Sequence, residues 1–145
     1  MSDPSLTARV GLGHIAIATR DAATLAATLA DALGAVRGEE ERLDQGQLKV
    51  MFVRLGPVTF ELLEPLSPDH TIAKFLDQRG PGLHHVSLEV GDLGAALARA
   101  RAAGVKLIDE QPRAGAHGST IAFLHPKSLG GVLIELCGPG TPEKH

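Results

Sequence analysis

Apolar and polar residues alternate with period two over Gly-His-Ile-Ala-Ile-Ala-Thr, residues 13–19, and this predicts a strand. From 22 to 33 the chain is rich in Ala and Leu at helical spacing, with Asp21 as N-cap and Gly34 as stop. Val36 starts a second strand that runs into the charged stretch Arg37 to Arg42, and Gln45-Gly46 reads as a turn. Leu48 to Leu55 and Val58 to Leu63 form a hairpin across Gly56-Pro57. Pro65 to Pro68 breaks the pattern, and Thr71 to Gln78 is a short helix closed by Gly80-Pro81-Gly82.

The same order then returns. Leu83 to Val90 reads as a strand, Asp92 caps a helix over 93–103, and Gly104 ends it. Val105 to Ile108 is expected as a strand, followed by a polar, Gly-containing loop from Asp109 to Gly118. Ser119 to Leu124 and Val132 to Leu136 pair across residues 125–131. The prediction is βαβββ, a link, then βαβββ. It implies an α+β fold of two tandem modules, about 13–65 and 84–137, pairing into one curved, cleft-forming sheet. Both modules belong to a single domain over 10–138, with residues 1–9 and 139–145 as tails.

A repeat of this size changes how single residues are read. His14 opens one copy and His85 the other. Each copy ends in an apolar strand with one carboxylate in its middle, Glu61 or Glu135. A carboxylate among large apolar residues is costly to bury unpaired, and coordinating a cation removes that cost. Taken singly, such a Glu or His is satisfied by solvent or by a neighbour. Four accidents at matched positions are a poor explanation, so the repeat favours one divalent ion held by His14, Glu61, His85 and Glu135. His84 and His85 are adjacent and face opposite sides of a strand, and the repeat selects His85. Two imidazoles and two carboxylates with open positions suit Co, Mn, Ni or Zn in a catalytic role.

Bulk composition narrows the remaining classes. The 145 residues carry a net charge of −3 and no basic stripe, which argues against nucleic acid. No apolar run is long enough to span a bilayer, and the N-terminus lacks signal-peptide character. Cys137 is the single cysteine, so no intramolecular disulfide forms, which suits the cytoplasm. The chain has no Trp or Tyr and 4 Phe, so a pocket walled by Trp and Tyr is excluded.

Longer strings carry a more specific resemblance. They are Glu61-Leu-Leu-Glu-Pro-Leu66, Ile72-Ala-Lys-Phe-Leu76, Gly82-Leu-His-His-Val86, Leu107-Ile-Asp-Glu-Gln-Pro112, Gly115-Ala-His-Gly118, Ile121-Ala-Phe-Leu-His-Pro-Lys-Ser128 and Gly130-Gly-Val-Leu-Ile-Glu-Leu136. With the ligand pattern, they make the chain resemble the vicinal oxygen chelate superfamily and, within it, the methylmalonyl-CoA epimerases, from Gly13 to Gly138. The resemblance implies the same four ligands, a CoA-thioester substrate and a homodimer. Some members carry a Glu a few residues after the Gln-Gly turn, assigned as a second catalytic base. Here the stretch is Gln45-Gly-Gln-Leu-Lys-Val-Met51, with Lys49 or Val50 in that place.

The chemistry implied is removal of the proton between a thioester carbonyl and a carboxylate, then its return on the other face. Glu135 is the first base, and Glu89 or Lys49 are the groups considered for the second face. The Gly115 to Ser119 loop, with His117, Gly118 and Ser119, and the turn at Lys127 and Ser128 are expected to hold substrate carboxylate or CoA phosphates. Two rival readings remain: a glyoxalase-type isomerase acting on glutathione hemithioacetals, and a metal-free small-ligand binder.

Overall fold

The computed structural model describes residues 10–139, so the expected tail at 1–9, and all but residue 139 of the one at 139–145, lie outside the described residues. The chain divides into two compact units, one of residues 14–84 and one whose described part is 10–13 with 85–139.

The first unit is built on β1 (Val10–Ala18) from residue 14 onward, α1 (Ala22–Leu33), β2 (Val36–Leu43), β3 (Leu48–Leu55), β4 (Val58–Pro65) and α2 (Thr71–Arg79). Its strands run in the order β2-β3-β4-β1. β1 and β4 are parallel, while β2, β3 and β4 form an antiparallel meander. α1 starts where the Asp21 side chain accepts a bond from Thr24 N, and it ends at Gly34, which sits at φ 73 in the left-handed region. Its small residues Ala22 and Ala26 are fully buried, so the helix lies close against Val53 and Leu62, with Ile17 and Phe60 beside them.

The second unit takes up β5 (Gly82–Val90) from residue 85 onward, α3 (Leu93–Ala102), β6 (Arg113–Ala114), β7 (Thr120–Leu124) and β8 (Ile134–Gly138). The order is β5-β8-β7-β6, with β5 parallel to β8. Asp92 caps α3 through Ala95 N at 3.0 Å. α3 packs Leu93 and Leu97 on Ala122, Leu124 and Leu136.

The two units therefore repeat one βαβββ topology, and the repeat extends to register. Ala16 on β1 lies opposite Glu61 on β4, and Ser87 on β5 lies opposite Glu135 on β8. On the next strand Phe52 lies opposite Glu61, and Phe123 lies opposite Glu135. Glu61 and Glu135 thus occupy equivalent strands, as the duplication requires.

One expected element is absent. Val105 to Ile108 is not a strand and makes a single bridge, Leu107 to Leu124. The reason lies in Asp109. Its Oδ2 accepts a bond from Phe123 N at 2.8 Å, so a side chain takes the place of a ladder partner. Phe123 O accepts from both Ile108 N and Asp109 N, which ends regular pairing there. The edge strand forms instead at Arg113–Ala114, inside the stretch expected as loop. Smaller differences are an earlier start for β1, at Val10, and a later one for β8, at Ile134. Among the described residues no helix is long and apolar enough to cross a membrane.

Candidate functional site

Strand alternation gives each sheet two faces, and α1 in the first unit and α3 in the second each pack on one of them. In the first unit Ile17, Phe60 and Leu62 face α1. His14, two residues before Ala16, shares the other face with Glu61. There His14 Nδ1 lies 3.0 Å from Glu61 Oε2, and both side chains are 12% exposed. Ala16 and Ala18 keep this face free of bulk beside the pair.

The second unit presents the same arrangement. Leu88, Leu136, Ala122 and Leu124 face the helix. His85, Ser87, Glu89, Glu135 and Phe123 share the opposite side by register. His85 Nε2 lies 3.8 Å from Glu135 Oε2, and both side chains are nearly buried. The Phe123 ring stands edge-on to His85, with centroids 5.1 Å apart at 90°. The Ser87 hydroxyl is fully buried and has no hydrogen-bond partner among the described residues. A carboxylate at this depth needs a compensating charge or hydrogen bonds. Each unit therefore offers one imidazole and one carboxylate, a nitrogen and oxygen donor set suited to a borderline divalent cation.

His84 behaves as its alternation predicts. It stacks edge-on against Phe75, with centroids 4.9 Å apart, while the Arg79 guanidinium lies over the same ring. Burial, followed by the charges of Arg79 and His70, lowers its pKa from 6.5 to about 4. The folded state thus binds fewer protons than the unfolded state between those values, and stability falls as pH drops from about 6.5 to 4. His84→Phe is expected to flatten that part of the stability curve, read from urea midpoints at successive pH values. An unchanged slope would mean that His84 is not the group responsible.

The remaining sequence candidates do not all converge. Lys49 pairs in register with Glu64, so it faces the α1 side, away from Glu61. Its Nζ lies 3.4 Å from Glu64 Oε1, and that same oxygen accepts a bond from Ala22 N at the start of α1. Glu89 shares the face of His85 and Glu135, at its exposed end. The loop carrying His117, Gly118 and Ser119 precedes β7, whereas Lys127 and Ser128 follow it. A strand of roughly 17 Å separates the two groups, so they do not form one anion cradle. Ser128 Oγ accepts a bond from Lys106 N, and Ser119 Oγ donates to Ala116 O. His117 sits at φ 55, a left-handed conformation uncommon outside glycine.

The sequence reading missed Phe52, Phe123 and Ser87. The signal was present for the two Phe. They are half of the 4 in the chain, and each lies on the strand preceding its repeat's Glu.

Comparison with known proteins follows the same outline. A family profile described as the Glyoxalase/Bleomycin resistance protein/Dioxygenase superfamily matches residues 13–123. The chain is 40% identical over 126 residues to the human mitochondrial methylmalonyl-CoA epimerase, covering 86% of this chain and 72% of the human protein. It is 39% identical over 127 residues to an ethylmalonyl-CoA/methylmalonyl-CoA epimerase of Cereibacter sphaeroides, covering 86% and 95%. The crystal structure of methylmalonyl-CoA epimerase from Mycobacterium tuberculosis superposes with a TM-score of 0.86 at 37% identity, covering 97% of this chain and 94% of that one.

Proposed function

We propose, for a chain that belongs to the glyoxalase, bleomycin resistance protein and dioxygenase superfamily and within it to the methylmalonyl-CoA epimerases, that it interconverts (R)- and (S)-methylmalonyl-CoA. The observation that carries this reading is the matched register of the two His/Glu pairs, each on the face of its sheet opposite α1 or α3.

His14, Glu61, His85 and Glu135 are proposed to hold one divalent ion between them, of the Co, Mn, Ni or Zn class. The fit rests on the mixed donor set and on the burial of His85 and Glu135, two groups that water cannot neutralise well at that depth. Bound there, the ion supplies Lewis acidity to the thioester oxygen, where charge gathers as the α-proton leaves.

The side chains do the rest. Glu135 accepts the α-proton on one face of the carbon while a protonated group delivers on the other, and in the reverse direction protonated Glu135 is the donor. Its apolar strand keeps bulk water from competing for that proton. Phe123 fixes the plane of His85, so the imidazole presents one nitrogen in a set direction. For delivery on the second face, Glu89 in its protonated form is the group assigned, because it lines the same side of the sheet as Glu135 while Lys49 points to α1. The Gly115 to Ser119 loop is proposed to meet an anionic part of the thioester. We place the enzyme in the cytoplasm as a homodimer, the assembly that the family resemblance implies.

The test is direct. With a divalent ion present, the protein in deuterated water should introduce deuterium at the α-carbon of stereochemically pure methylmalonyl-CoA and equilibrate its two forms. Exchange no faster than the uncatalysed rate would refute the assignment. Ethylmalonyl-CoA belongs in the same assay, since the Cereibacter relative is named for both thioesters.

A further inference from the structure

We propose that Arg113 is an anion-binding residue for the acyl-CoA substrate, an inference that rests on the epimerase reading above. Arg113 lies on β6 opposite Ile121, so it shares the face that carries Phe123 and Glu135. Its guanidinium carbon sits 5.4 Å from the centroid of the Phe123 ring, the ring that stands edge-on to His85. One aromatic ring thus separates a cation from the imidazole of the second unit.

The guanidinium is also held in place. Its Nε lies 3.2 Å from Asp109 Oδ1, and the other oxygen of that carboxylate is bonded to Phe123 N. Asp109 is mostly buried, while the Arg113 side chain is 51% exposed. The tether therefore occupies one edge of the fork. The two terminal amino groups have no hydrogen-bond partner among the described residues. A planar cation fixed by a carboxylate and an aromatic ring, with two donors facing outward, matches the bidentate geometry of carboxylate or phosphate.

The adjoining loop is built tightly around this position. A Cβ at Gly115 would lie 2.6 Å from Ile121 Cγ2 and 2.9 Å from Ser119 Oγ, so only glycine lets the chain turn back onto β7. Gly115 N bonds to Ser119 O and closes the loop beside Arg113. The fork is thereby presented at the end of β7 that carries residues 117–119, not at the end that carries Lys127. The anion it binds is either the free carboxylate of the acyl group or a phosphate of CoA. The chemistry is the same, and experiment separates the two.

The experiment compares methylmalonyl-CoA with methylmalonyl-pantetheine, which lacks the phosphates, on the ion-loaded full chain. Arg113→Gln should raise KM for the CoA thioester about tenfold or more, the range expected for losing a charge-assisted pair. Arg113→Lys should restore part of the loss. Arg113→Met keeps the packing on Phe123 without the charge and should match Gln. A KM rise confined to the CoA thioester identifies a phosphate, and an equal rise on both thioesters identifies the carboxylate. The proposal is overturned if KM for the CoA thioester stays within about twofold of the unmodified protein. It is equally overturned if only kcat falls, together with the melting temperature. Calorimetric titration with methylmalonyl-CoA reads the same contact without turnover. If the unmodified protein fails to exchange the α-proton, the epimerase reading falls, while the calorimetric comparison still decides the role of Arg113.

Discussion

Glu135→Gln is expected to lower the rate of α-deuteration by roughly two to four orders of magnitude, the range attributed to a positioned acid or base. The change is nearly isosteric and removes the charge from a carboxylate that is 5% exposed, so the fold should survive it. Two comparisons isolate the chemistry. His84→Ala touches the neighbour of a proposed ligand but acts on the opposite face, where His84 packs against Phe75. Lys49→Ala removes an amine paired with Glu64 on the α1 side. Both should retain activity within a few-fold once folding is confirmed by circular dichroism. If all three variants lose activity alike, the assay is reporting strand stability and Glu135 has no special part.

Stripping divalent ions with a chelator should bring exchange down to background, and adding back one of Co, Mn, Ni or Zn should restore it. The expectation follows from the donor set. His14 with Glu61 and His85 with Glu135 are the proposed nitrogen and oxygen ligands, all at low exposure, with no thiolate from the single cysteine among them. Calorimetry should show Glu61→Gln and His14→Ala binding the ion roughly a hundredfold more weakly, about 3 kcal/mol for one ligand of four. Full activity in the chelated protein would remove the ion from the mechanism. Unchanged ion affinity in both variants would remove the first unit from the site. Because the two variants alter strands that are equivalent in register to those of His85 and Glu135, their effects also test whether the duplicated pairs act together.

Much of this was legible in the chain itself. The period-two stretch around His14, the Ala/Leu helix after Asp21 and the hairpin at Gly56-Pro57 all form as read, because each is decided by local physics. Alternation marks a half-buried strand, a short polar side chain satisfies the first free N–H groups of a helix, and glycine permits the left-handed turn. The duplication was equally visible, and so was the placing of His84 and His85 on opposite faces. That placing needs only the rule that neighbours on a strand face opposite ways.

What local pattern could not decide was register and the competition for hydrogen bonds. Val105 to Ile108 has the composition of a strand, yet Asp109, supplied by the next residue in sequence, takes the Phe123 N–H that a ladder would have used. Lys49 lies near the right place in sequence for a second base. Pairing with Glu64 rather than Glu61 turns it to the helix side, because a shift of an odd number of residues reverses the face. The loop residues 117–119 and the pair Lys127 and Ser128 look like one cradle in sequence, but β7 holds them at opposite ends. The sequence by itself determined the repeated elements and the residue types able to bind an ion, since both follow from short-range spacing. Only the tertiary structure decided that Phe123 stands against His85 and that Arg113 lies across that ring, because those neighbours are set by strand pairing between residues far apart in the chain.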